Sequence, residues 1–544
     1  MSKDSNKVRI VNSREFARCF NLPNPDLRTY FGRVENGQPN VYDTPFARGE
    51  STEDLLSTWN ATLVSIRDKW PSLYEYESDM AQKVGPMSVM KPLNERLDDI
   101  DAYYEGILLP QQPLKLEAVD LVCREFAGMR GLRLRSQTKT IDIMKKSTNS
   151  GSPFFTRRRN VLKAFDAFNA WIDSPRVVGL CINNSSNALF DSDLCAVLGW
   201  RGQEGGPSIE DVKQRVVWMF PLAVNVLELQ WYQPFIESAQ HLGLVPAWIN
   251  FDQVDRVITR LFDTKASKDL VVCTDFSKFD QHFNRQLQDA AMKVYKYIGC
   301  KDFAVESWLT GVFPMKYMMP LAYDWGKVRF GPHGMGSGSG GTNCDETVAH
   351  RALQHEVALM HKAKLNPNSQ CLGDDGVLSY PGITVEDVVD AYTSHGLEMN
   401  VSKQYASTHD CVYLRRWHHS DYRVGDICVG VYSTNRALGR LRYLENYQDP
   451  KWWGPKAVAL RQLSIIENVK YHPLRTQFAE FCMKRDKYRL GIDIPGFLDN
   501  IRSVAMEHVE HMPDFLGYVQ TLGTTDPVAG IENWWIVQFL KSYR

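Results

Sequence analysis

The most constraining feature of the chain is a pair of adjacent aspartates between two short apolar runs, in SQCLGDDGVLSY (residues 369–380). Asp374 and Asp375 have a glycine on each side, and this pattern predicts a β-hairpin with both acids at its turn. On a continuous strand the two side chains would face opposite ways, whereas a turn lets both point outward near one place. Such close carboxylates repel unless a cation neutralises them, which favours hard divalent ions such as Mg²⁺ or Mn²⁺. A simple Asp-Gly hairpin turn is the alternative.

A second acidic segment, DLVVCTDFSKFDQHFN (residues 269–284), precedes the hairpin. Its apolar run predicts a buried strand that ends at Asp275 and lies beside the hairpin in one sheet. Asp280 follows five residues later, a spacing that suits neither one helix face nor one strand face. If Asp275 and Asp280 share a site, the chain must leave regular structure between them. Three acids from the strand end and the hairpin suit two metal ions that clamp an in-line phosphoryl displacement.

A glycine-rich loop, GMGSGSGGTN (residues 334–343), lies between the two acidic segments. It predicts close backbone approach to a ligand and opens a helix predicted over residues 343–362. The loop contains a GxGxxG pattern, but MHKAK (residues 360–364) lacks the acid that a dinucleotide-binding fold needs about twenty residues later. No GxxxxGK[ST] motif occurs either, which excludes a P-loop nucleotidase.

Charge and cysteine usage narrow the class of protein further. The net charge is −1, yet eleven Lys/Arg stand against two acids between Arg124 and Lys163. This stretch predicts a local phosphate-binding surface, with a solvated basic helix face as the alternative. The eleven cysteines form no CxxC pair, which indicates a reducing compartment and argues against a zinc ribbon. The apolar run Val216 to Leu227 is too short to cross a bilayer.

The order of these segments resembles the palm of viral RNA-dependent RNA polymerases. Asp275 and Asp280 look like motif A, Ser337 to Thr342 like motif B, and Gly373-Asp-Asp like motif C. Four further segments resemble family motifs. Lys403 resembles the motif D lysine, Tyr413–Trp417 resembles motif E, Lys213–Arg215 resembles motif F and Thr148–Pro153 resembles motif G. Motif wording and length most resemble the polymerases of small double-stranded RNA viruses, picobirnaviruses first and partitiviruses second.

The resemblance implies an α+β right-hand fold of fingers, palm and thumb, with an antiparallel-sheet palm and helix-rich flanking domains. The implied boundaries are an N-terminal extension bridging fingers and thumb (1–110), fingers (111–265 and 281–333), palm (266–280 and 334–417), and thumb with C-terminal tail (418–544).

The implied activity is RNA-directed RNA polymerisation that replicates and transcribes a viral RNA genome by two-metal nucleotidyl transfer, with primer-independent initiation. Implied partners are single-stranded RNA template, double-stranded RNA product, NTPs and a capsid protein, in the virion interior and host cytoplasm, with no membrane. A catalytically inactive RNA-binding structural protein is the alternative, against which the intact acids argue.

The resemblance also assigns roles to residues. Asp275, Asp374 and Asp375 would hold two Mg²⁺ ions (Mn²⁺ being the alternative), and Lys403 would be the general acid for pyrophosphate. The nucleotide-binding residues would be Lys213, Arg215, Asp280, Ser337, Gly338, Thr342 and Asn343. The RNA-binding residues would be Ser150, Gly151, Arg157, Arg158, Arg159, Arg415 and Arg416.

One position departs from the family pattern. The family often has Asn four residues after the motif B Thr, where it works with the second motif A acid on the ribose. Here that position is Glu346, preceded by Asp345, and Asn343 directly follows Thr342. The sequence leaves open which of the three residues fills this role.

Two segments after motif E carry weaker expectations. HHSDYRVGDICVGVYS (residues 418–433) predicts a hairpin that either reaches toward the active site, where its tyrosines would stack on a first nucleotide, or packs as an edge hairpin. The apolar tail ENWWIVQFLKSYR (residues 532–544) is expected to dock, near the product exit.

Overall fold

The computed structural model describes residues 8–19, 25–163, 194–512 and 528–543. The strands are β1 (Val8–Ile10), β2 (Ala196–Gln203), β3 (Lys213–Met219), β4 (Val271–Thr274), β5 (Phe276–Ser277), β6 (Leu321–Asp324), β7 (Lys327–Arg329), β8 (Gln370–Leu372), β9 (Asp375–Leu378), β10 (Glu398–Met399), β11 (Tyr405–Ser407), β12 (Asp410–Tyr413), β13 (Arg416–His419) and β14 (Val431–Tyr432).

Helices flank these strands along the described parts of the chain. They are α1 (Ser13–Arg18), α2 (Pro25–Asn36), α3 (Thr52–Leu63), α4 (Pro71–Met80), α5 (Leu97–Glu105), α6 (Leu116–Glu125), α7 (Gln137–Ile143), α8 (Arg158–Lys163), α9 (Leu222–His241), α10 (Phe251–Thr264), α11 (Phe279–His282), α12 (Arg285–Ile298), α13 (Phe303–Ser307), α14 (Thr342–Met360), α15 (Val385–Thr393), α16 (Thr434–Arg442), α17 (Pro455–Glu467), α18 (Arg475–Arg485), α19 (Ile501–His508) and α20 (Trp535–Ser542).

The central sheet has the strand order β11-β4-β9-β8, and all its pairs are antiparallel. Strand β4 is buried along its whole length, because its residues are apolar on both faces. Leu372 pairs with Asp375 across the β8–β9 hairpin, and Thr274 pairs with Gly376 across β4 and β9. The predicted strand and hairpin are therefore both present. The register sets Asp275 opposite the turn that carries the two adjacent aspartates.

A second sheet has the order β1-β7-β6-β2-β3. Its long β2–β3 pair is antiparallel and runs from Val197 opposite Met219 to Gln203 opposite Lys213. Strand β3 begins at Lys213. Its outer end is exposed while its inner end is buried, so the two basic residues of this strand lie at its solvent-facing end.

The N-terminal residues contact both the second sheet and the C-terminal helices. Helices α3 and α4 share one apolar core with α16 to α20. A Cβ added at Gly439 would lie 2.9 Å from Val84, and one added at Gly85 would lie 1.7 Å from the carbonyl oxygen of Gly206. Glycines thus allow the chain at residues 84–85 to pass tightly between α16 and the loop after β2.

The segment after β13 does not reach toward the acidic turn. Strand β13 starts beside Leu414, whose N–H donates to Asp375 at 2.8 Å, and it runs away from there. At its far end Arg423 donates to Asp263 of α10 at 2.8 Å, and the Cys428 N–H donates to Thr259 at 2.9 Å. Of the two alternatives that the sequence left open, these contacts with α10 favour the packed edge hairpin.

The C-terminal tail docks, as its apolar composition predicted. Helix α20 buries Ile536, Val537 and Leu540. The backbone N–H groups of Trp535 and Ile536 donate to the carboxylate of Glu467 at 3.1 and 3.0 Å, which caps the helix start. No helix in the described ranges combines the length and apolarity needed to span a membrane.

Candidate active site

Helix α14 holds the turn of the β8–β9 hairpin from behind. Gly373 has a φ of 57°, a left-handed conformation that favours glycine. Its N–H donates to the Thr347 hydroxyl at 2.9 Å, and its carbonyl oxygen lies 2.8 Å from His350 Nδ1. Burial lowers the pKa of His350 to about 4, so the ring is neutral near pH 7 and Nδ1–H is the donor. Two side chains of one helix therefore position the Asp374–Asp375 turn.

The two aspartates of the turn have different surroundings. Asp375 accepts the Leu414 N–H, and burial together with the adjacent Asp374 raises its pKa to about 7. The side chain of Asp374 is exposed, but partial desolvation and the nearby Asp280 raise its pKa as well, against the opposing effect of Arg215. Both shifts indicate an excess of negative charge at the turn, which is what a bound cation would relieve.

Asp275 projects from the end of β4 at the same edge of the sheet. Its N–H donates to Gln404 Oε1 at 2.7 Å, and its carbonyl oxygen accepts from Gln404 Nε2 at 2.8 Å. One side-chain amide thus fixes the backbone of Asp275, whose carboxylate is exposed. Lys403, the residue before Gln404, is also exposed and lies on the segment that Gln404 ties to Asp275.

The chain leaves regular structure between Asp275 and Asp280, as their spacing requires. Short strand β5 pairs with β10, Lys278 has a φ of 52°, and the single turn α11 then carries Asp280. Phe276 and Phe279 pack with ring centroids 4.6 Å apart and both contact the ring of His350. The two aromatic rings anchor the loop on the helix that positions the aspartate turn.

A buried carboxyl pair lies beside the aspartate turn. The carboxyl of Glu346 is hydrogen-bonded to Asp280, and Arg215 Nη2 lies 3.9 Å from Asp280 Oδ2. Burial raises the pKa of Glu346 well above its usual range, and Asp280 and Asp374 raise it further. A hydrogen bond between two carboxyls needs a proton, and the raised pKa of Glu346 favours holding it there, while Arg215 faces Asp280.

The three residues that the sequence left open after Thr342 have separate surroundings. Asn343 is exposed and accepts from Trp248 Nε1 at 2.7 Å. Asp345 is fully buried, 3.0 Å from Lys316 Nζ, and accepts hydrogen bonds from three tyrosines, at 232, 295 and 317. Of the three, Glu346 is hydrogen-bonded to Asp280.

The glycine-rich loop is seated on β3 and α9. The Ser337 hydroxyl donates to the Val216 carbonyl at 3.2 Å, and a Cβ on Gly338 would lie 1.5 Å from the Trp218 carbonyl oxygen. The Thr342 hydroxyl donates to loop carbonyls at 3.3 Å, which closes the loop on itself at the start of α14. The glycines here serve close backbone packing, and they place the loop between Asp280 and the basic end of β3.

The profile described as viral RNA-dependent RNA polymerase matches residues 72–425, more than half of the 544-residue chain. The chain belongs to the viral RNA-dependent RNA polymerase family. It is 56% identical over 534 residues to a potential RNA-dependent RNA polymerase of human picobirnavirus (strain Human/Thailand/Hy005102/-), covering 97% of this chain and 99% of that relative.

Solved structures give the same family and confirm the right-hand fold. The crystal structure of the RNA-dependent RNA polymerase of a human picobirnavirus is 54% identical, with a TM-score of 0.90, and the match covers 98% of this chain and 100% of that one. An insertion-loop deletion mutant of such a polymerase is 53% identical, with a TM-score of 0.87 and the same coverage. The resemblance to picobirnavirus polymerases inferred from the motifs is thereby confirmed.

Several predicted RNA-binding residues of the polymerase are engaged inside the protein. Ser150 and Gly151 are buried, and the Ser150 carbonyl accepts the Leu222 N–H at 2.8 Å. Arg158 donates to Asn225 at 2.6 Å. Arg416 is buried and forms a double hydrogen bond with Asp255, at 2.7 and 3.0 Å. Arg158 and Arg416 thus pair inside the protein, and RNA binding by these four residues stays a prediction.

The other predicted RNA-binding residues lie where solvent reaches them. Arg157 is exposed and Arg159 is half-buried, both at the start of α8. Arg415 is exposed in the β12–β13 turn, with a φ of 58°. Its charge opposes the rise in the pKa of Asp374 and Asp375 that burial causes. Its backbone carbonyl accepts the Tyr76 hydroxyl at 2.6 Å, so the N-terminal region holds this turn beside the acids.

Sequence reasoning missed one residue of the polymerase site altogether. Tyr103, on α5, is buried beside Asp280, and it is hydrogen-bonded to Ser337. Burial raises the pKa of Tyr103 and the charge of Asp280 raises it further. Its carbonyl accepts the Gly334 N–H at 2.8 Å, at the start of the glycine-rich loop. In the sequence Tyr103 is one aromatic of a helix far from every motif, and no spacing signals its role.

Proposed function

We propose that this polymerase copies viral RNA by two-metal nucleotidyl transfer centred on Asp275, Asp374 and Asp375. The observation that carries the proposal is the register of β4, β9 and β8, which brings all three acids to one edge of the sheet. The raised pKa values of Asp374 and Asp375 support it, because burial and then a neighbouring carboxylate disfavour the ionised forms that a bound cation would stabilise.

The donor set suits Mg²⁺ or Mn²⁺ by chemistry, since both ions prefer carboxylate oxygens. As they stand, the acidic, histidine and cysteine side chains of the described ranges form no group of three close enough to hold one ion. Asp275 and Asp374 are exposed, so rotation of their side chains would close the distance without moving the backbone. When bound, the ions would neutralise the attacking 3′-oxygen and the triphosphate.

The nucleotide site is proposed to lie between Asp280 and the basic end of β3. Lys213 and Arg215 are exposed two residues apart on one strand face, where both would contact the triphosphate. Asp280 would accept the ribose 2′-hydroxyl, and Glu346 would orient Asp280, in place of the Asn usual in the family. Thr342, Asn343, Ser337 and Gly338 would shape the pocket through the glycine-rich loop.

Lys403 is proposed to protonate the departing pyrophosphate. Its support is positional, because the adjacent Gln404 is hydrogen-bonded to both backbone groups of Asp275. Arg157, Arg159 and Arg415 are proposed to contact RNA phosphates, since their side chains are accessible and Arg suits phosphate recognition. We keep the domain boundaries given above, with the N-terminal extension joining fingers to thumb.

Primer-independent initiation is proposed on a different basis from the hairpin first expected to support it. Residues 84–85 pack against the loop after β2 and α16, and Glu204 of that loop pairs with Arg436 and Arg440 of α16. We propose that this junction encloses the template side of the site. A closed channel admits single strands more readily than a preformed duplex. Capsid contacts and a location in virion interior and cytoplasm follow only from family likeness.

The test is RNA synthesis by the purified protein on a single-stranded template with NTPs and Mg²⁺, with and without a primer. Template-length product in both reactions is expected. Product in the primed reaction alone would refute primer-independent initiation and leave the polymerase assignment intact. No product in Mg²⁺ or Mn²⁺, with RNA binding retained, would refute the catalytic proposal.

A further inference from the structure

Glu228 is a fully buried acid in an otherwise apolar stretch of α9. It stands immediately after the uncharged run that ends at Leu227. Burying a carboxylate costs several kcal/mol unless its oxygens are hydrogen-bonded, so such a residue needs partners. Burial raises the pKa of Glu228, and the charge of Lys316 opposes that rise.

The partners of Glu228 belong to the glycine-rich loop. The Ser339 hydroxyl donates a short hydrogen bond to one carboxylate oxygen. The Gly340 N–H donates to the other oxygen at 3.3 Å, and Asn225 Nδ2 donates to the same oxygen at 3.1 Å. The Gly340 and Asn225 N–H groups are donors, so the oxygen they share is an acceptor, and the other oxygen is held by the Ser339 hydroxyl.

A second set of contacts leads from Glu228 to the segment that resembles motif G. Asn225 also donates to the Gly338 carbonyl at 3.3 Å, so it touches both the loop and Glu228. Its Oδ1 accepts from Arg158 at 2.6 Å, and Arg158 in turn donates to the Lys145 carbonyl at 3.0 Å. A continuous chain of hydrogen bonds thus joins the basic segment at residues 145–158 to residues 338–340 of the loop.

We propose that Glu228 is a positioning residue that couples the motif G-like segment to the glycine-rich loop, so that template seating and nucleotide closure depend on each other. The proposal rests on the polymerase function given above. The proposal gives Arg158 a role other than RNA contact, because its guanidinium donates hydrogen bonds to Asn225 and to the Lys145 carbonyl. RNA phosphates held by the neighbouring Arg157 and Arg159 would shift this segment, and the chain Arg158–Asn225–Glu228 would transmit the shift to Ser339.

A double-mutant cycle tests the coupling. Arg158→Met removes one end of the chain and Ser339→Ala removes the other, and the full-length protein is used throughout. Single-nucleotide incorporation is measured on a preassembled primer–template, giving kcat and the KM for the NTP separately. We expect each single variant to lower kcat about tenfold with the KM changed less than about twofold. The double variant is expected to be no slower than the slower single variant, because both changes break the same chain.

Lys163→Met combined with Ser339→Ala is the matched control. Lys163 is exposed at the end of α8 and has no place in the hydrogen-bonded chain, so its effect should multiply with that of Ser339→Ala. Glu228→Met keeps the approximate size of the side chain without the carboxyl oxygens and should reproduce the kcat loss of Ser339→Ala, with an unchanged thermal unfolding midpoint for both Ser339→Ala and Arg158→Met.

Multiplicative effects in the Arg158–Ser339 cycle would overturn the coupling. So would equal non-additivity in the Lys163–Ser339 control, which would indicate general damage to the fold. A wild-type protein that incorporates no nucleotide would overturn the proposed function instead, whereas an active wild type with a multiplicative cycle overturns this inference alone.

Discussion

At the residue scale, Asp275 and Asp280 lie at one site but have different surroundings. Asp275 is exposed at a strand end opposite the aspartate turn, whereas Asp280 is hydrogen-bonded to Glu346 and faces Arg215. The sequence predicted the break in regular structure from their spacing alone. The sequence could not show whether Asp345 or Glu346 contacts Asp280. Asp345 instead pairs with Lys316 and with tyrosines that are distant along the chain.

Substituting Asp280 should relax sugar discrimination while metal-dependent incorporation persists. Asp280→Asn removes the charged acceptor for the 2′-hydroxyl, a loss of about 1.5–3 kcal/mol, so the preference for NTP over dNTP should fall about 10- to 100-fold. The measurement is the ratio of kcat/KM for an NTP and its dNTP. Asp289→Asn, at an exposed acid paired within α12, is the control and should leave the ratio unchanged. An unchanged ratio in Asp280→Asn would refute the assigned role.

At the scale of elements, the sequence predicted those whose burial pattern is local. Strand β4, the β8–β9 hairpin and α14 lie within a few residues of their expected bounds, since apolar runs and glycines determine them. The direction of the loop after β13 could not be predicted from local pattern, because Asp263 and Thr259, from a helix about 160 residues earlier, anchor it. In the sequence Arg158 cannot be distinguished from the neighbouring arginines 157 and 159. Its pairing with Asn225 of α9 is visible only in the structure.

One contact between elements predicts a pH-dependent stability. Glu125 of α6 accepts from Arg351 and His355 of α14, and these partners outweigh burial and lower its pKa from 4.5 to about 2. Since the pKa is depressed in the folded state, the contribution is full above pH 4.5 and disappears as the pH falls toward 2. Glu125→Gln should lower the free energy of unfolding by about 2 kcal/mol at pH 7 and by much less near pH 2.5.

Urea unfolding of this variant and the wild type across pH 2.5–7 measures the difference. Glu117→Gln, at an exposed position of the same helix, should change little at any pH. A difference for Glu125→Gln that stays constant over the range would contradict the assignment of the shift to this ion pair.

At the scale of the whole molecule, the N-terminal residues and the C-terminal helices complete a closed structure. Glu204, directly after β2, lies 3.0 Å from Arg436 and 2.9 Å from Arg440 of α16. Residues 84–85 pack between the same two elements. The family resemblance implied an N-terminal extension that bridges fingers and thumb. Local sequence patterns alone could not predict the contact of Glu204 with Arg436, because the two residues are more than 200 residues apart.

Breaking the ion pairs of Glu204 with Arg436 and Arg440 should weaken retention of RNA without altering Asp275, Asp374 or Asp375. Glu204→Gln leaves two arginines without their carboxylate in a largely buried place, which costs about 3 kcal/mol. We expect a lower unfolding midpoint and shorter products under single-binding conditions, with single-nucleotide incorporation within about twofold of wild type. Glu210→Gln, at an exposed position after the same strand, is the control. Wild-type product length in Glu204→Gln would show that the closure does not retain RNA.

The most direct test of the account is single-nucleotide incorporation on a primed RNA template in Mg²⁺, comparing wild type with Asp374→Asn. The substitution keeps the shape of the turn and removes one charge from the proposed metal ligands. The account predicts that wild type extends the primer and that Asp374→Asn loses at least about 1,000-fold in rate, with RNA binding and unfolding midpoint retained. Extension by Asp374→Asn at the wild-type rate would contradict the central claim that these carboxylates carry the chemistry.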